Sequence, residues 1–323
     1  MKKFLFVLII FLPQLNLHGQ AAYPPAPVGG LTADSVKAPP INLRYDSLTS
    51  KRKFNTMLVA GGALYASSVA ILYQLWYKDY PQSSFHFFND NDEWFQMDKL
   101  SHTSASYYIG NVGYQTLKWY GIEDRKALWY GGFSGSVYQS ILEVLDGFSA
   151  GWGASWGDIA ANTTGSVIFT SQQALWGEQY LRLKHSYHVS PYSSYRYDPA
   201  KYSALERMLK DYNGTTCWFS FNLKPLFRRY DGFPEWLCIS LGQSGDGMIG
   251  ATVNPTEING KAVPSDIVRK RQLFLSADID LTKVPIKSKY FRAFAQAVSF
   301  LKFPFPALEY NTTDKFRFYP LYY

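Results

Sequence analysis

Apolar and polar positions recur with two different periods along the chain. In the first half, apolar and small residues return every three to four positions, the spacing that predicts helices with one buried face. Such stretches run from Met57 to Tyr77, from about Phe95 to Tyr120, from about Arg125 to Asp146 and from about Ser155 to Trp176. Because the connections between the helices are short, we expect them to pack antiparallel as a bundle.

Strands are expected only in the second half of the chain. Runs over 216–223, 236–241 and 272–281 have the length of strands, and in the last of them apolar residues alternate with mostly polar ones. Short helices are expected around 204–212 and 290–301. The predicted fold class is therefore mainly α: a four-helix bundle-like domain followed by a smaller C-terminal region that contains strands.

The amino terminus has the pattern of a secretory signal. A basic start is followed by an apolar run from Phe4 to Leu12, which is too short to span a bilayer, and by small residues suited to cleavage near Ala21. No cysteine follows this run, so a lipid anchor is not expected. We predict an exported protein, periplasmic or associated with the outer membrane. Its expected organisation is a signal peptide over 1–20, a Pro-rich linker over 21–53, a helical domain over 54–180 and an α+β region over 181–323.

The uncharged run from Met57 to Tyr77 has the length of a transmembrane helix. Two glycines and a glutamine keep its hydrophobicity modest. After export, the basic residues over 51–53 would lie on the outer side of the membrane, against the positive-inside tendency. A buried helix or a helix on the membrane surface is therefore the favoured interpretation.

Composition narrows the range of partners. The net charge is +7, but the basic residues are scattered, so an exported protein with no basic stripe is not expected to bind nucleic acid. The charge and the 18% aromatic content suit an anionic lipid or glycan surface, although a basic soluble exterior would explain the charge equally well. Export also permits a disulfide between Cys217 and Cys238, and two buried free thiols remain an equal alternative.

Polar pairs interrupt three of the predicted helices. The members of each pair are three or four positions apart, so each pair shares one helix face. If the three faces converge, they bring carboxylates, an imidazole and the ammonium of Lys99 into the interior, where ionised groups need partners. The pairs are Asp98 with His102, Glu143 with Asp146, and Asp158 with Asn162.

Three interpretations of this polar cluster remain open: an ion-pair network, a metal or catalytic centre, and a site for a ligand or partner. A centre built from one histidine and carboxylates suits a divalent ion such as Zn, Fe or Mn. The function expected first is that of a membrane-associated accessory or structural protein of the envelope, in which the cluster is buried. The alternative is a metal-assisted hydrolase or transferase of envelope lipid or glycan, with Glu143 or Asp146 as general base on a bound water. His86, just upstream, could add a second imidazole. The acidic run over 89–93 could form a capping loop or bind Ca²⁺ through oxygen atoms, but it lacks the spaced ligands of a calcium-binding loop and is interpreted as a solvated loop. The candidate metal ligands are Asp98, His102 and Asp158.

The order of these motifs over about residues 85–177 resembles the YfiM-type family of predicted periplasmic lipoproteins of unknown function. It is distantly similar to VanZ-like membrane proteins, whose pattern is Asp-Lys-x-x-His, then Glu, then Asp-x-x-x-Asn-x-x-Gly. The C-terminal third looks like the longer versions from Bacteroidetes-type bacteria. The resemblance implies a small helical envelope domain and supplies no reaction. The residues that it nominates are Asp98, Lys99, His102, Glu143, Asp146, Asp158 and Asn162.

Overall fold

The computed structural model describes residues 47–77, 80–202, 204–227 and 229–323. The expected signal peptide and most of the Pro-rich linker lie outside these residues. All four predicted helical stretches are helical, with α1 longer than predicted and a π-helical segment at Ala127–Gly131. The α-helices of the described residues are α1 (Ser47–Trp76), α2 (Met97–Trp119), α3 (Asp124–Lys126), α4 (Ser134–Gly147), α5 (Trp156–Trp176), α6 (Ser193–Arg196), α7 (Ala204–Lys210) and α8 (Lys289–Ala297).

The second half of the chain forms an antiparallel sheet of six strands, in the order β1-β2-β3-β6-β7-β8, and a separate hairpin of β4 and β5. Polar and aromatic side chains of β2 and β8 meet across the sheet, although three strands separate them in the order. The sheet therefore curls so that one face lies inside. The strands are β1 (Leu181–Tyr187), β2 (Thr215–Asn222), β3 (Leu237–Asp246), β4 (Glu257–Ile258), β5 (Lys261–Ala262), β6 (Lys270–Ile279), β7 (Phe305–Asn311) and β8 (Lys315–Tyr322).

The prediction of a mainly α, bundle-like fold is wrong. Helices account for 42% and strands for 23% of the structure. The sequence pattern missed β1, β7 and β8. Strands β1 and β7 bury charged residues, Lys184 and Glu309, whereas β8 exposes nearly all of its side chains. Tyr107 and Tyr108 of α2 share a core with Leu183 of β1, so the helices bury apolar surface against the sheet and do not close only on one another.

Helix α1 packs along α4. Leu72 of α1 is buried with Tyr138 and Leu142 of α4, and Ser68 Oγ lies 3.1 Å from Tyr138 Oη. Nearer its amino-terminal end, α1 exposes large apolar residues, among them Val59 and Leu64. Among the helices that the structure describes, none is both long enough and apolar enough to cross a membrane.

The two cysteines are free thiols. Cys217 pairs in register with Gln243, whereas Cys238 pairs with Asn222, five positions further along β2. Because successive side chains of a strand alternate between its faces, an odd offset places the two thiols on opposite faces of the sheet. The disulfide that the sequence left open is therefore absent.

A buried histidine makes folding depend on pH. His185 of β1 is buried, with Nδ1 3.5 Å from Cys217 Sγ, and burial lowers its pKa from 6.5 to about 3. Below pH 6.5 the unfolded chain therefore takes up a proton that the native chain does not, and native stability is lost as the pH falls. From pH 6.5 to pH 5, we expect His185 to lower the free energy of unfolding by about 1.5–2 kcal/mol.

Urea-induced unfolding of the wild type and of His185→Gln, at both pH values, measures this contribution. Other groups titrate in the same range, so the quantity to compare is the difference between the two proteins. We expect a smaller pH dependence in the variant. Equal pH dependence in both proteins would show that the imidazole does not carry the effect.

Candidate functional site

A strained turn leads the chain into α2. Trp94, Phe95 and Gln96 are consecutive non-glycine residues with positive φ angles of 49°, 52° and 61°. Such conformations cost roughly 1–3 kcal/mol each and persist where the surroundings hold them. Here, Gln243 of β3 donates a hydrogen bond to the Phe95 carbonyl at 2.7 Å, and Arg271 of β6 bonds Gln96. The sheet thus sets the position at which α2 begins, directly before the first residue of the polar cluster.

His102 lies at the centre of the cluster, with 2% of its side chain exposed. Its Nδ1 edge faces Asn162 Oδ1 of α5 at 2.9 Å and Glu143 Oε1 of α4 at 3.7 Å. Its Nε2 edge faces Asp98 Oδ2 at 3.7 Å and Asp158 Oδ1 at 3.9 Å. Because an amide oxygen only accepts, the assigned orientation of Asn162 places the proton of a neutral imidazole on Nδ1. The Nε2 lone pair then points towards the two aspartates.

Lys99 links two of the carboxylates. Its Nζ lies 2.6 Å from Asp90 Oδ1, 2.9 Å from Asp158 Oδ1 and 4.0 Å from Asp98 Oδ2. Burial by itself lowers the pKa of Lys99, but the charges of Asp98 and Asp158 and a hydrogen bond with Asp90 outweigh it and raise the pKa. Burial likewise raises the pKa of Asp90, but hydrogen bonds from Lys99 and Ser155 hold it below its ordinary value. Both groups therefore stay charged.

The sequence did not identify three residues of the cluster: Asp90, Ser155 and Tyr212. Ser155 Oγ donates to Asp90 Oδ1 at 2.6 Å and, as the cap of α5, accepts the Asp158 amide at 3.2 Å. Tyr212, just after α7, donates to Asp98 Oδ1 at 2.7 Å, and burial followed by the Asp98 charge raises its pKa well above 10. Only Ser155 had a local signal, since it stands three residues before Asp158 at a helix start.

The remaining predicted residue, Asp146, is held elsewhere. Its Oδ1 accepts a hydrogen bond from Tyr77 at 2.7 Å, beside the contact of α1 with α4. His86, which could have added a second imidazole, is half-buried beside Ser83 and Ser84. The structure thus brings together six of the seven nominated residues: Asp98, Lys99, His102, Glu143, Asp158 and Asn162.

Charges in the cluster do not balance. Among the described residues it contains one ammonium, that of Lys99, and four carboxyl groups, those of Asp90, Asp98, Glu143 and Asp158. With a neutral imidazole the formal charge is 1 − 4 = −3. Ligand atoms of three of these residues, Asp98, His102 and Asp158, lie within 4.8 Å of one another. The arrangement can therefore act as a buried ion network or hold a divalent cation.

Comparison with known proteins adds one match. Residues 86–171, which are 86 of the 323 residues, match the model of a family described as "Predicted periplasmic lipoprotein (DUF2279)". The matched segment contains the whole cluster except Tyr212. No curated protein and no solved structure gives a significant match. The family description confirms that this is an exported protein, periplasmic or membrane-associated.

Proposed function

We propose that the protein is a membrane-associated accessory protein of the cell envelope. It binds a lipid membrane by inserting the uncovered outer face of its sheet into the hydrocarbon region. The observation that carries the proposal is the burial pattern of the sheet. In a sheet with one face in water, the polar face meets the solvent and the apolar face packs on the core. In this sheet the two faces are reversed.

The inner face of the sheet is polar and buried. Lys184 and Asp278 are fully buried and 2.8 Å apart, and Ser220 and Ser240 both donate hydrogen bonds to Asp278. Tyr322 of β8 closes this interior with a 2.9 Å hydrogen bond to Thr216 of β2. The polar side chains inside the curled sheet therefore pair with one another through ion pairs and hydrogen bonds, away from solvent.

The outer face carries rows of exposed apolar residues. Leu241, Leu275, Leu308 and Phe318 are neighbours in register on β3, β6, β7 and β8, with exposed fractions of 51%, 43%, 39% and 63%. The next row contains Leu273, Tyr310 and Phe316, which are also exposed. Contiguous exposed apolar surface of this kind marks a site of contact with a membrane or another apolar partner.

The helices cover only part of this outer face. Near β1 and β2 the helical layer covers it, since Leu183 and Phe219 pack with the core of α2. Helix α4 also exposes an apolar stripe, formed by Val137, Ile141 and Val144 at helical spacing. The net charge of +7 favours a membrane with anionic headgroups. We therefore propose that lipid covers the exposed outer face of the sheet.

The test removes the apolar row without touching the interior. The variant Leu241→Thr, Leu275→Thr, Phe318→Thr keeps side chains suited to strands and loses exposed apolar surface. We expect its transfer to membranes to weaken by about 2–3 kcal/mol, or about 30- to 150-fold in the partition coefficient. Each protein is mixed in detergent with phosphatidylethanolamine and phosphatidylglycerol, and the detergent is then removed so that vesicles form. Flotation of the vesicles measures the fraction of protein bound to them.

A matched control carries three Thr substitutions at exposed apolar residues outside the sheet, Val189, Val253 and Val268. This control should float like the wild type. The proposal fails if the wild type does not float, or if the sheet variant and the control bind alike. Retention on purified envelope glycan without flotation would favour the glycan surface instead.

A further inference from the structure

We infer that Asp98, His102 and Asp158 form a binding site for one divalent transition-metal ion. This site goes beyond the proposed membrane association and does not depend on it. The two features lie on different parts of the molecule, since the ligands project from α2 and α5 and the exposed apolar rows lie on β3 and β6–β8.

Distances within the triad suit a metal ion. His102 Nε2 lies 3.7 Å from Asp98 Oδ2 and 3.9 Å from Asp158 Oδ1, and the three ligand atoms are all within 4.8 Å of one another. An ion about 2.0–2.2 Å from each ligand needs neighbouring ligand atoms somewhat closer than this. On this inference, these side chains therefore rotate slightly towards the ion when it binds.

The histidine is oriented as a metal ligand should be. A ligating imidazole usually donates its other N–H to a carboxylate or carbonyl oxygen, which fixes the tautomer and the ring orientation. Nδ1 of His102 has this partner in Asn162 Oδ1 at 2.9 Å. Nε2, the remaining nitrogen, faces both aspartates.

Asn162 provides a second, independent observation. It is fully buried within the cluster, and its Nδ2 has no hydrogen-bond partner among the described residues. A buried amide N–H without a partner is costly, so a bound species that offers an oxygen atom would satisfy it. Asn162 faces the Nδ1 edge of His102 and the ion would lie at the Nε2 edge, so this oxygen would belong to a water molecule that enters the cluster with the ion.

Charge and access also favour a cation. Four carboxyl groups against one ammonium leave a formal charge of −3, which a divalent ion would reduce to −1. The side chain of Asp98 is 27% exposed, so an ion can enter from its side. Tyr212 holds Asp98 Oδ1 and thereby leaves Oδ2 towards the histidine.

The chemistry of the ligands favours a transition-metal ion over calcium. One imidazole and two carboxylates suit Zn²⁺ or Mn²⁺ better than Ca²⁺, which takes oxygen ligands only. A set of three protein ligands also leaves a position open for water. Lys99 is the competing cation, because its Nζ already lies 2.9 Å from Asp158 Oδ1.

The experiment uses the untagged full chain, since a histidine tag would bind the same ions. Protein stripped of metal is equilibrated with ZnCl₂ or MnCl₂, and elemental analysis and calorimetry measure the ion bound. We expect about one ion per chain for at least one of the two metals. In Asp98→Asn we expect at least 10-fold weaker binding, with the fold retained because the amide oxygen that replaces the carboxylate still accepts from Tyr212.

Asp146→Asn is the matched control, since it neutralises a half-buried carboxylate that lies outside the triad. It should bind metal like the wild type. A wild type that binds neither ion overturns the inference, and so does equal binding by the Asp98 and Asp146 variants.

Lys99→Met separates a metal site from a purely structural ion network. Removing the ammonium leaves the carboxylates without their cation, so we expect the variant to melt at a lower temperature. If the triad binds metal, Zn²⁺ or Mn²⁺ should bind more tightly than in the wild type and restore the melting temperature. A lowered melting temperature that neither ion restores overturns the inference.

Discussion

Replacing Asp278 with Ala is expected to lower the free energy of unfolding by about 3–5 kcal/mol. Asp278 is fully buried inside the curled sheet, 2.8 Å from Lys184 Nζ and 3.8 Å from Lys302 Nζ. Lys302 also donates to the Ala277 and Phe303 carbonyls, and burial lowers its pKa to about 8. Without the carboxylate, the two buried lysine side chains lose their counter-charge. Nothing then compensates for the cost of removing their ammonium groups from water.

Urea-induced unfolding followed by tryptophan fluorescence measures this loss, because Trp218 lies beside Lys302. The matched control is Asp314→Ala, which removes a solvent-exposed ion pair with Lys270 and should lower the free energy of unfolding only slightly. A loss below about 1 kcal/mol in the Asp278 variant would mean that the buried pair does not stabilise the fold.

Gly165→Ala is expected to destabilise the fold by about 3 kcal/mol and to disturb the polar cluster. A Cβ at this position would lie 2.0 Å from the Thr103 carbonyl oxygen and 2.9 Å from the Tyr107 nitrogen. Both contacts are with the backbone of α2, so α2 and α5 would have to move apart. The displacement would act directly on the hydrogen bond between His102 and Asn162, one turn away.

The control for this substitution is Gly61→Ala, at a helical glycine of α1 where a Cβ meets nothing within 4 Å. There, the better helix propensity of Ala should raise the free energy of unfolding by roughly 0.5–1 kcal/mol. Thermal and urea-induced unfolding of both variants measure whether each substitution raises or lowers the free energy of unfolding. A neutral or stabilising effect of Gly165→Ala would show that the helices tolerate wider spacing.

Part of the polar cluster followed from helical spacing alone. Asp98 with His102, and Asp158 with Asn162, are four positions apart, and any helix brings such residues to one face. Asp90 could not be found in this way, because an acidic loop has the same sequence pattern in solvent as beside Lys99. Tyr212 could not be found either, since only the folded chain brings it to Asp98 across 114 positions.

Sequence alone determined the positions of the long helices and the polar pairs on them, because helical period is a local property. The tertiary structure decided that the helices pack on a sheet, and which face of that sheet is inside. Alternation along a strand separates two faces without saying which one is buried. The curl that brings β2 to β8 buries Lys184 and Asp278 and leaves Leu241 and Leu275 outside.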